Sequence, residues 1–325
     1  MKAIVQDSYG APDVLKLAEI DKPSIGDTEV LVRVHAAGVD RGVWHIMAGM
    51  PYLVRIMGYG LRAPTKRVRG MEVAGTVEAV GQSVTQLAVG DAIYGACEGS
   101  FAEYACVKEN RCAPKPTNLT FVQAAAVPVS GLTALQAVRD KGAVRAGQSV
   151  LVIGASGGVG TFAVQIAKAL GAEVTGVCST TKVDLVRSIG ADHVIDYTRG
   201  DFAEPGRRYD VILDMGGNRP LSHLRRALTP GGTLVMVGGE HGDRWIGGMG
   251  RPLWALVLSR FVSQNMAMFI AQVRREDLLY LKDLIETGRV TPVIDRTYPL
   301  AEAREAVRYL EQGRARGKIV IKVEE

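Results

Sequence analysis

LVIGASGGVGTFAVQIAKALGAEVTGVC, residues 151–178, decides the reading of this chain. An apolar run, Leu151–Ile153, enters Gly154-Ala155-Ser156-Gly157-Gly158-Val159-Gly160 and passes straight into a helical pattern; a second apolar run, Glu173–Cys178, follows. Strand, glycine turn, helix and strand in that order form a βαβ unit whose turn binds the pyrophosphate of a dinucleotide. Gly157 lets backbone approach the phosphates, whose charge the helix N-terminus favours. Gly160 lets the helix lie close on its strand. Ser156, Gly157, Gly158 and Val159 are therefore expected around the pyrophosphate. Ala155 stands where the G-x-G-x-x-G pattern has its first glycine, so Gly154 shares the tight-turn role.

The end of the second strand separates the two dinucleotides. NAD sites place an acidic residue there for the ribose 2′-hydroxyl. Here Ser179, Thr180, Thr181 and Lys182 follow, with no carboxylate before Asp184. Small hydroxyls and a cation suit a 2′-phosphate, which a carboxylate would repel. NADPH is the expected cofactor, held by Ser179, Thr180 and Lys182; an exposed helix residue is the competing reading of Lys182.

Outward from this motif the alternation continues. Val150–Ile153, His193–Asp196, Val211–Asp214 and Thr233–Val237 read as strands, with helices over Gly158–Leu170, Lys182–Ile189 and Pro220–Leu228. Such short Val/Ile-rich strands between helices mean a parallel, doubly wound sheet. Before Thr120 the texture differs: Lys2–Val5, Val30–Ala37, Val73–Val80 and Phe101–Val107 are strand-like segments bounded by Gly, Pro and Asp. Helices are expected over Phe121–Val127 and Gly131–Asp140. After Gly239 the rhythm stops. Glu240–Gly250 reads as a mobile loop, Met266–Ala271 as a strand, Glu276–Glu286 and Leu300–Glu311 as helices, and Gly317–Val323 as a strand. The fold class is thus α/β, with a dinucleotide-binding domain over 123–271 inserted between a β-rich N-terminal portion, 1–122, and a C-terminal return, 272–325.

The 325 residues, 47% hydrophobic and 22% charged, suit two folded cores and exclude a disordered or fibrous chain. No run reaches the roughly 18 apolar residues of a membrane helix. Pro252–Leu258 is cut short by Ser259 and Arg260. The start, MKAIVQDSYG, turns polar too early for a signal peptide. Cys97, Cys106, Cys112 and Cys178 form no CxxC pair or zinc-like spacing, and a reducing cytoplasm is expected. The net charge of +5 comes from scattered pairs such as Arg207 and Arg208, and only 6% of residues are aromatic. Neither nucleic acid nor a membrane is an expected partner.

HAAGVD (35–40), RGMEVAGTVEAVG (69–81), VGDAIYG (89–95), GSFAEYACV (99–107) and AAAVPVSGLTALQA (124–137) lie ahead of the nucleotide motif IGASGGVGTFAVQIAK (153–168). GADHVIDY (190–197), DMGG (214–217), LVMVGG (234–239) and RGKIVIKV (316–323) follow it. In this order along nearly the whole chain, they resemble the medium-chain dehydrogenase/reductase superfamily, specifically its zinc-free quinone oxidoreductase-like branch. The resemblance implies a GroES-like catalytic domain made from both termini, an inserted Rossmann domain, a cleft between them and a homodimer. Met266–Ala271 would be the edge strand for pairing. It also implies a nicotinamide near Thr133, Gly216–Gly217 and Gly238–Gly239, a 2′-phosphate near Ser179, Lys182 and Tyr197, and a strand carrying Gly317 and Lys318 that closes over the cleft, with Lys318 among the cofactor-binding residues. A surface charge is the competing reading of Lys318.

Zinc-dependent relatives place a Cys where this chain has Asp40, and a His-Glu pair at Met71 and Glu72. Their third ligand falls within Ala126-Val127-Pro128, which offers no donor side chain. Asp40 and Glu72 alone do not make the three-ligand site of a catalytic zinc, so no metal is expected and Glu72 reads as structural. Without that Lewis acid, hydride transfer to an activated alkene or quinone is less demanding than alcohol oxidation. The charge developing on the acceptor oxygen then needs hydrogen-bond donors and a proton. Arg41–Tyr59, which borders the substrate mouth in relatives, offers Tyr52 first and His45 second. Asp40 could bond ribose or substrate, or orient a loop. Packing is the competing role for Tyr52 and His45. Trp44, Leu53, Ile56, Met57 and Trp254 are expected to form an apolar pocket for a small hydrophobic carbonyl or quinone. An enoyl-thioester reductase and a catalytically silent nucleotide-binding scaffold are the rival functions.

Overall fold

Ser149–Ile153, Glu173–Cys178, His193–Asp196, Tyr209–Asp214, Leu228–Met236 and Asn265–Met268 build a six-stranded sheet in which every pairing is parallel. Counted in chain order, the strands lie 3-2-1-4-5-6 across the sheet. The order reverses between Ser149–Ile153 and Tyr209–Asp214, and in such sheets ligands bind beyond the carboxyl ends of those two strands. Val150, Leu151 and Val152 are all fully buried, as strands covered on both faces must be. Leu151, Val177, Ile212, Leu224, Leu234 and Ala255 belong to the core that holds this sheet.

The computed structural model describes residues 1–204, 206–239 and 243–323. Its packing divides into two units. One holds Met1–Leu132, Gln272–Gly288 and Pro292–Glu325; the other holds Thr133–Ala271 and Arg289–Thr291. Residues 123–132 pack with the first unit.

The first unit is β-rich. Its seven-stranded sheet runs Ile294–Pro299, Lys318–Lys322, Glu29–Val39, Glu72–Val80, Ala92–Ala96, Cys112–Pro114, with Tyr104–Lys108 also paired to Glu29–Val39. Lys318–Lys322 runs antiparallel to Glu29–Val39, Ile319 facing Val39 and Lys322 facing Ala36. A core of Val30, Val32, Val73, Val77, Ile93 and Val107 fills the sheet. A second core joins Ile4, Val39, Val43, Met47, Phe101 and Ile319 to the helix Ala303–Glu311.

Some element limits differ from those expected. The helix expected from Gly131 begins at Pro128 and closes in wide π-type turns over Gln136–Lys141. Proline suits a first helical turn, where its missing N–H costs nothing. The strand expected over Met266–Ala271 is Asn265–Met268, and Pro252–Leu258 lies in a helix, Gly250–Leu258. The first three residues of the expected loop Glu240–Gly250 lie outside the described residues. Among the described residues no helix is long and apolar enough to cross a membrane.

Candidate functional site

Gly154 follows the first strand at φ +80°, a left-handed conformation open to glycine at little cost. Its carbonyl accepts from Gly157 N at 3.1 Å, which closes the turn. The helix Gly158–Ala169 begins there, and no side chain caps its N-terminus at Gly157. A Cβ on Gly160 would meet the Gly154 carbonyl oxygen, so this glycine lets helix and strand touch. Around Gly157 the space is open, its nearest neighbour to an added Cβ being the Gly154 oxygen at 3.5 Å. Uncapped N–H groups beside an open glycine face fit the pyrophosphate of a dinucleotide.

The turns after the strands flanking the reversal are pressed together. Met215 N donates to the Ile153 carbonyl at 3.1 Å, and a Cβ on Gly217 would lie 2.7 Å from the Gly238 oxygen. Gly216, Gly238 and Gly239 thus cluster by backbone contact. The fully buried Asp214 organises them. It accepts from Gly217 N at 3.0 Å and from Arg251 Nη2 at 2.5 Å, while Arg251 Nη1 donates to the Arg219 carbonyl. The sequence reading used Asp214 only as part of a motif. Its signal was a carboxylate ending a buried strand just before two glycines. Thr133 lies in this unit, on the helix Pro128–Leu135.

At the end of the second strand, Ser179 precedes a short turn over Thr180–Lys182. Parallel pairing sets Asp196 opposite Cys178, so an acid distant in sequence stands beside the end of the second strand. Asp196 accepts from Thr180 Oγ1 at 2.6 Å, from Thr198 N at 3.0 Å and from Thr198 Oγ1 at 2.8 Å. Those hydroxyl bonds, the Thr180 one foremost, hold its carboxyl below the ordinary range. The hydroxyl proton of Thr180 is therefore already given to a carboxylate. Tyr197 is half exposed, with the Arg219 guanidinium 5.8 Å from its ring centre.

In the β-rich unit three expected residues are interior groups. Glu72 is fully buried; its carboxylate accepts from Lys318 Nζ at 2.5 Å and from Val129 N at 2.8 Å. Lys318 Nζ also donates to Ser130 Oγ at 3.0 Å. Lys318 is only 2% exposed, which removes the reading of a surface charge, and two of its donors are engaged with protein. Asp40 is the N-cap of the helix Arg41–Ala48, Oδ1 accepting from Val43 N at 3.2 Å. Its Oδ2 is buried without a partner. Burial pushes both carboxyls above their ordinary range, and the nearby Lys318 charge opposes this at each.

Residues of 41–59 divide between packing and exposure. His45 Nδ1 meets the Met50 carbonyl at 2.8 Å, closing the turn after Ala48. That bond fixes the ring, with Nδ1 as the donor and Nε2 left over. Tyr52 is half-buried, with the Arg55 guanidinium 4.8 Å from its ring centre. The expected apolar pocket is corrected: Ile56, Met57 and Trp254 are 69%, 56% and 70% exposed, and the half-buried Trp44 packs against the core, its Nε1 donating to Glu311. Helical turns that short cannot turn every apolar side chain inward.

The donor set at the position of a catalytic zinc does not suit the metal. Asp40 caps a helix, Glu72 is paired with an ammonium, and 126–128 brings no side-chain donor. Among the described residues no three His, Cys, Asp or Glu side chains are grouped to hold a metal.

Residues 26–117 match the family model of the alcohol dehydrogenase GroES-like domain, and residues 189–321 that of the zinc-binding dehydrogenases. The chain is 34% identical over 337 residues to a 2-methylene-furan-3-one reductase of Solanum lycopersicum, covering 99% of this chain and 79% of that protein. The solved quinone oxidoreductase of Coxiella burnetii is similar with a TM-score of 0.88 and 28% identity, over 100% of this chain and 99% of that one. Escherichia coli quinone oxidoreductase complexed with NADPH is similar with a TM-score of 0.85 and 26% identity, over 99% of this chain and 100% of that one.

Proposed function

The chain belongs to the medium-chain dehydrogenase/reductase superfamily, in its quinone oxidoreductase-like branch, and from that premise we propose that it reduces quinones or α,β-unsaturated carbonyls without a catalytic zinc. It is an NADP(H)-dependent oxidoreductase. One observation carries the proposal beyond the family: the Lys318 ammonium is bonded to Glu72, where zinc-dependent members would use the carboxylate near a metal. A resident cation on that carboxylate competes directly with a second one. The names of the similar proteins, an enone-type reductase and two quinone oxidoreductases, support the same acceptor classes.

Bound NADPH supplies the hydride. Its pyrophosphate would rest on Ser156, Gly157, Gly158 and Val159, and its 2′-phosphate near Ser179, Lys182 and Tyr197, with Thr180 donating its hydroxyl once it turns from Asp196. Gly216, Gly238, Gly239 and Thr133 are proposed at the nicotinamide. Lys318, assigned to the cofactor by resemblance, is proposed to act there as a positioning residue, through Glu72 and Ser130. For the proton and the oxygen-facing hydrogen bond we place Tyr52 first. His45 Nε2 donates only once the ring is protonated, because Nδ1 holds the Met50 carbonyl. Asp40, whose burial favours the neutral carboxyl, is the third candidate.

NADPH oxidation with oct-1-en-3-one, 1,4-benzoquinone and crotonyl-CoA tests the reading. Turnover is expected with the first two. A rate confined to crotonyl-CoA would replace it with thioester reduction, and tight NADPH binding with no turnover of any acceptor would make the protein a scaffold. Stoichiometric zinc on elemental analysis would remove the metal-free mechanism. Four unpaired cysteines support a reducing compartment such as the cytoplasm. The homodimer rests on Asn265–Met268, the outer strand of the parallel sheet, and on the exposed Trp254, Phe261 and Ile270 of the same unit. Sedimentation at micromolar concentration checks it.

A further inference from the structure

Arg69 stands out from the other cations of the β-rich unit. It is 3% exposed, its Nε is buried without a partner, and among the described residues its side chain makes no ion pair or hydrogen bond. Of the other buried cations of this unit, Lys318 has a carboxylate and a hydroxyl, and Arg275, whose Nε is likewise unpartnered, still donates through Nη1 to the Cys112 carbonyl. The backbone holds Arg69 in place from both sides: its N donates to the Ile4 carbonyl at 3.1 Å and its carbonyl accepts from Phe101 N at 2.8 Å. The neighbouring Gly70 carbonyl accepts from Gly99 N at 2.9 Å. A charge buried in this way costs several kcal/mol unless something pairs with it.

What Arg69 lines is a cleft within this unit. Val43, Ile46, Val68 and Met71 give it apolar walls, and Tyr59, Lys66 and Glu98 give it polar groups. The Tyr59 hydroxyl has no hydrogen-bond partner among the described residues. Burial, then the Glu98 charge, raises the pKa of that phenol, so it stays a donor. Lys66 and Glu98 are exposed at the edge. Two cations against one carboxylate leave the lining with one net positive charge, which matches a single anionic group. Two walls, Val43 and Ile46, belong to the helix Arg41–Ala48, in the stretch proposed to meet the acceptor.

We propose that Arg69, with Tyr59, binds the carboxylate of an acceptor whose remainder is apolar, making Arg69 a specificity-determining residue for enones or quinones with a carboxylate-ended chain. This rests on the reductase reading for the word acceptor; the carboxylate site itself does not. A guanidinium meets a carboxylate through two parallel N–H···O bonds, a geometry that neither a neutral ester nor an alcohol reproduces. A site built to bond a group discriminates strongly against analogues that lack it, because its own polar groups are then left unpaired.

The test has a binding arm and a turnover arm. In calorimetric titrations, wild-type protein is expected to bind octanoate, with methyl octanoate at least tenfold weaker. Arg69→Gln is expected to weaken octanoate at least tenfold, and Glu98→Gln, which removes a competing anion while keeping Arg69, to tighten it. Absence of octanoate binding to the wild type, or equal binding to Arg69→Gln, overturns the site; NADPH binding by each variant shows that it is folded. In the turnover arm, 7-oxonon-8-enoate is compared with its methyl ester. The ratio of kcat/KM, acid over ester, is expected at ten or more in the wild type and near one in Arg69→Gln. A ratio near one in the wild type overturns the specificity role. Failure of the reductase reading is a different result: neither acid nor ester is reduced, while the octanoate titrations still report on Arg69.

Discussion

The nucleotide turn of the parallel-sheet unit and the buried cluster of the β-rich unit are built from opposite materials. Gly154, Gly157 and Gly160 act through main-chain conformation and close approach within seven consecutive residues. Glu72, Ser130 and Lys318 act through side chains, and 246 residues separate the carboxylate from its ammonium. The first arrangement tolerates almost any surrounding sequence provided that Cβ atoms are missing where backbones meet. The second fails if either charge is removed alone, because burial has taken away the water that would compensate.

Five substitutions sharpen or break this contrast. Lys318→Met should cost about 3–5 kcal/mol in urea unfolding, since it leaves Glu72 charged and buried. Adding Glu72→Gln should restore most of that loss. A single variant as stable as the wild type would remove the cluster from the argument. Gly160→Ala should weaken NADPH, followed by its fluorescence, by about tenfold or more, because the new Cβ meets the Gly154 carbonyl and moves the helix N-terminus. Unchanged affinity would mean that close helix–strand contact is not what forms the turn. Lys182→Glu should lower the NADPH-over-NADH ratio of kcat/KM by about tenfold, the worth of one charge-assisted bond to the 2′-phosphate.

The smallest effect belongs to an open ion pair. Glu286 accepts from Lys282 Nζ at 2.5 Å and from both N and Oγ1 of Thr117 at 2.8 Å, and these bonds pull its pKa down to about 2 from an ordinary 4.5. A carboxylate lowered in the folded state stabilises above its unfolded pKa and loses that contribution as pH falls. The window therefore runs from about 4.5 down to about 2. Glu286→Gln should flatten stability across that window in acid titrations of unfolding, yet cost under about 1 kcal/mol at pH 7 because the pair is partly solvated.

The same contrast explains what could be read without coordinates. Val150–Ile153, the glycine turn and the helix after it are local, so periodicity and glycine spacing place them. Phe101–Val107 and Met266–Ala271 were found with shifted ends, since strand limits depend on the partner strand. Asp196 was missed beside the second strand because parallel pairing with Cys178 brings it there. Lys318 was placed at the cofactor by resemblance, whereas packing joins it to Glu72. Arg69 opens the segment RGMEVAGTVEAVG, and a linear pattern does not show that a cation lacks a partner.

Lys318–Lys322 lies between Ile294–Pro299 and Glu29–Val39 in the finished sheet. During synthesis at about 5–20 residues per second, Glu72 has emerged some tens of seconds before residue 318 exists. The nascent β-rich unit therefore waits with an unfilled slot between strands and an acid that must stay hydrated or protonated. The inserted parallel-sheet unit has all six of its strands by Met268 and is free to fold first. Ribosome-bound chains stalled after Gly317 should then protect the parallel sheet from protease while Ala36–Val39, the stretch that faces the missing strand, remains open to it.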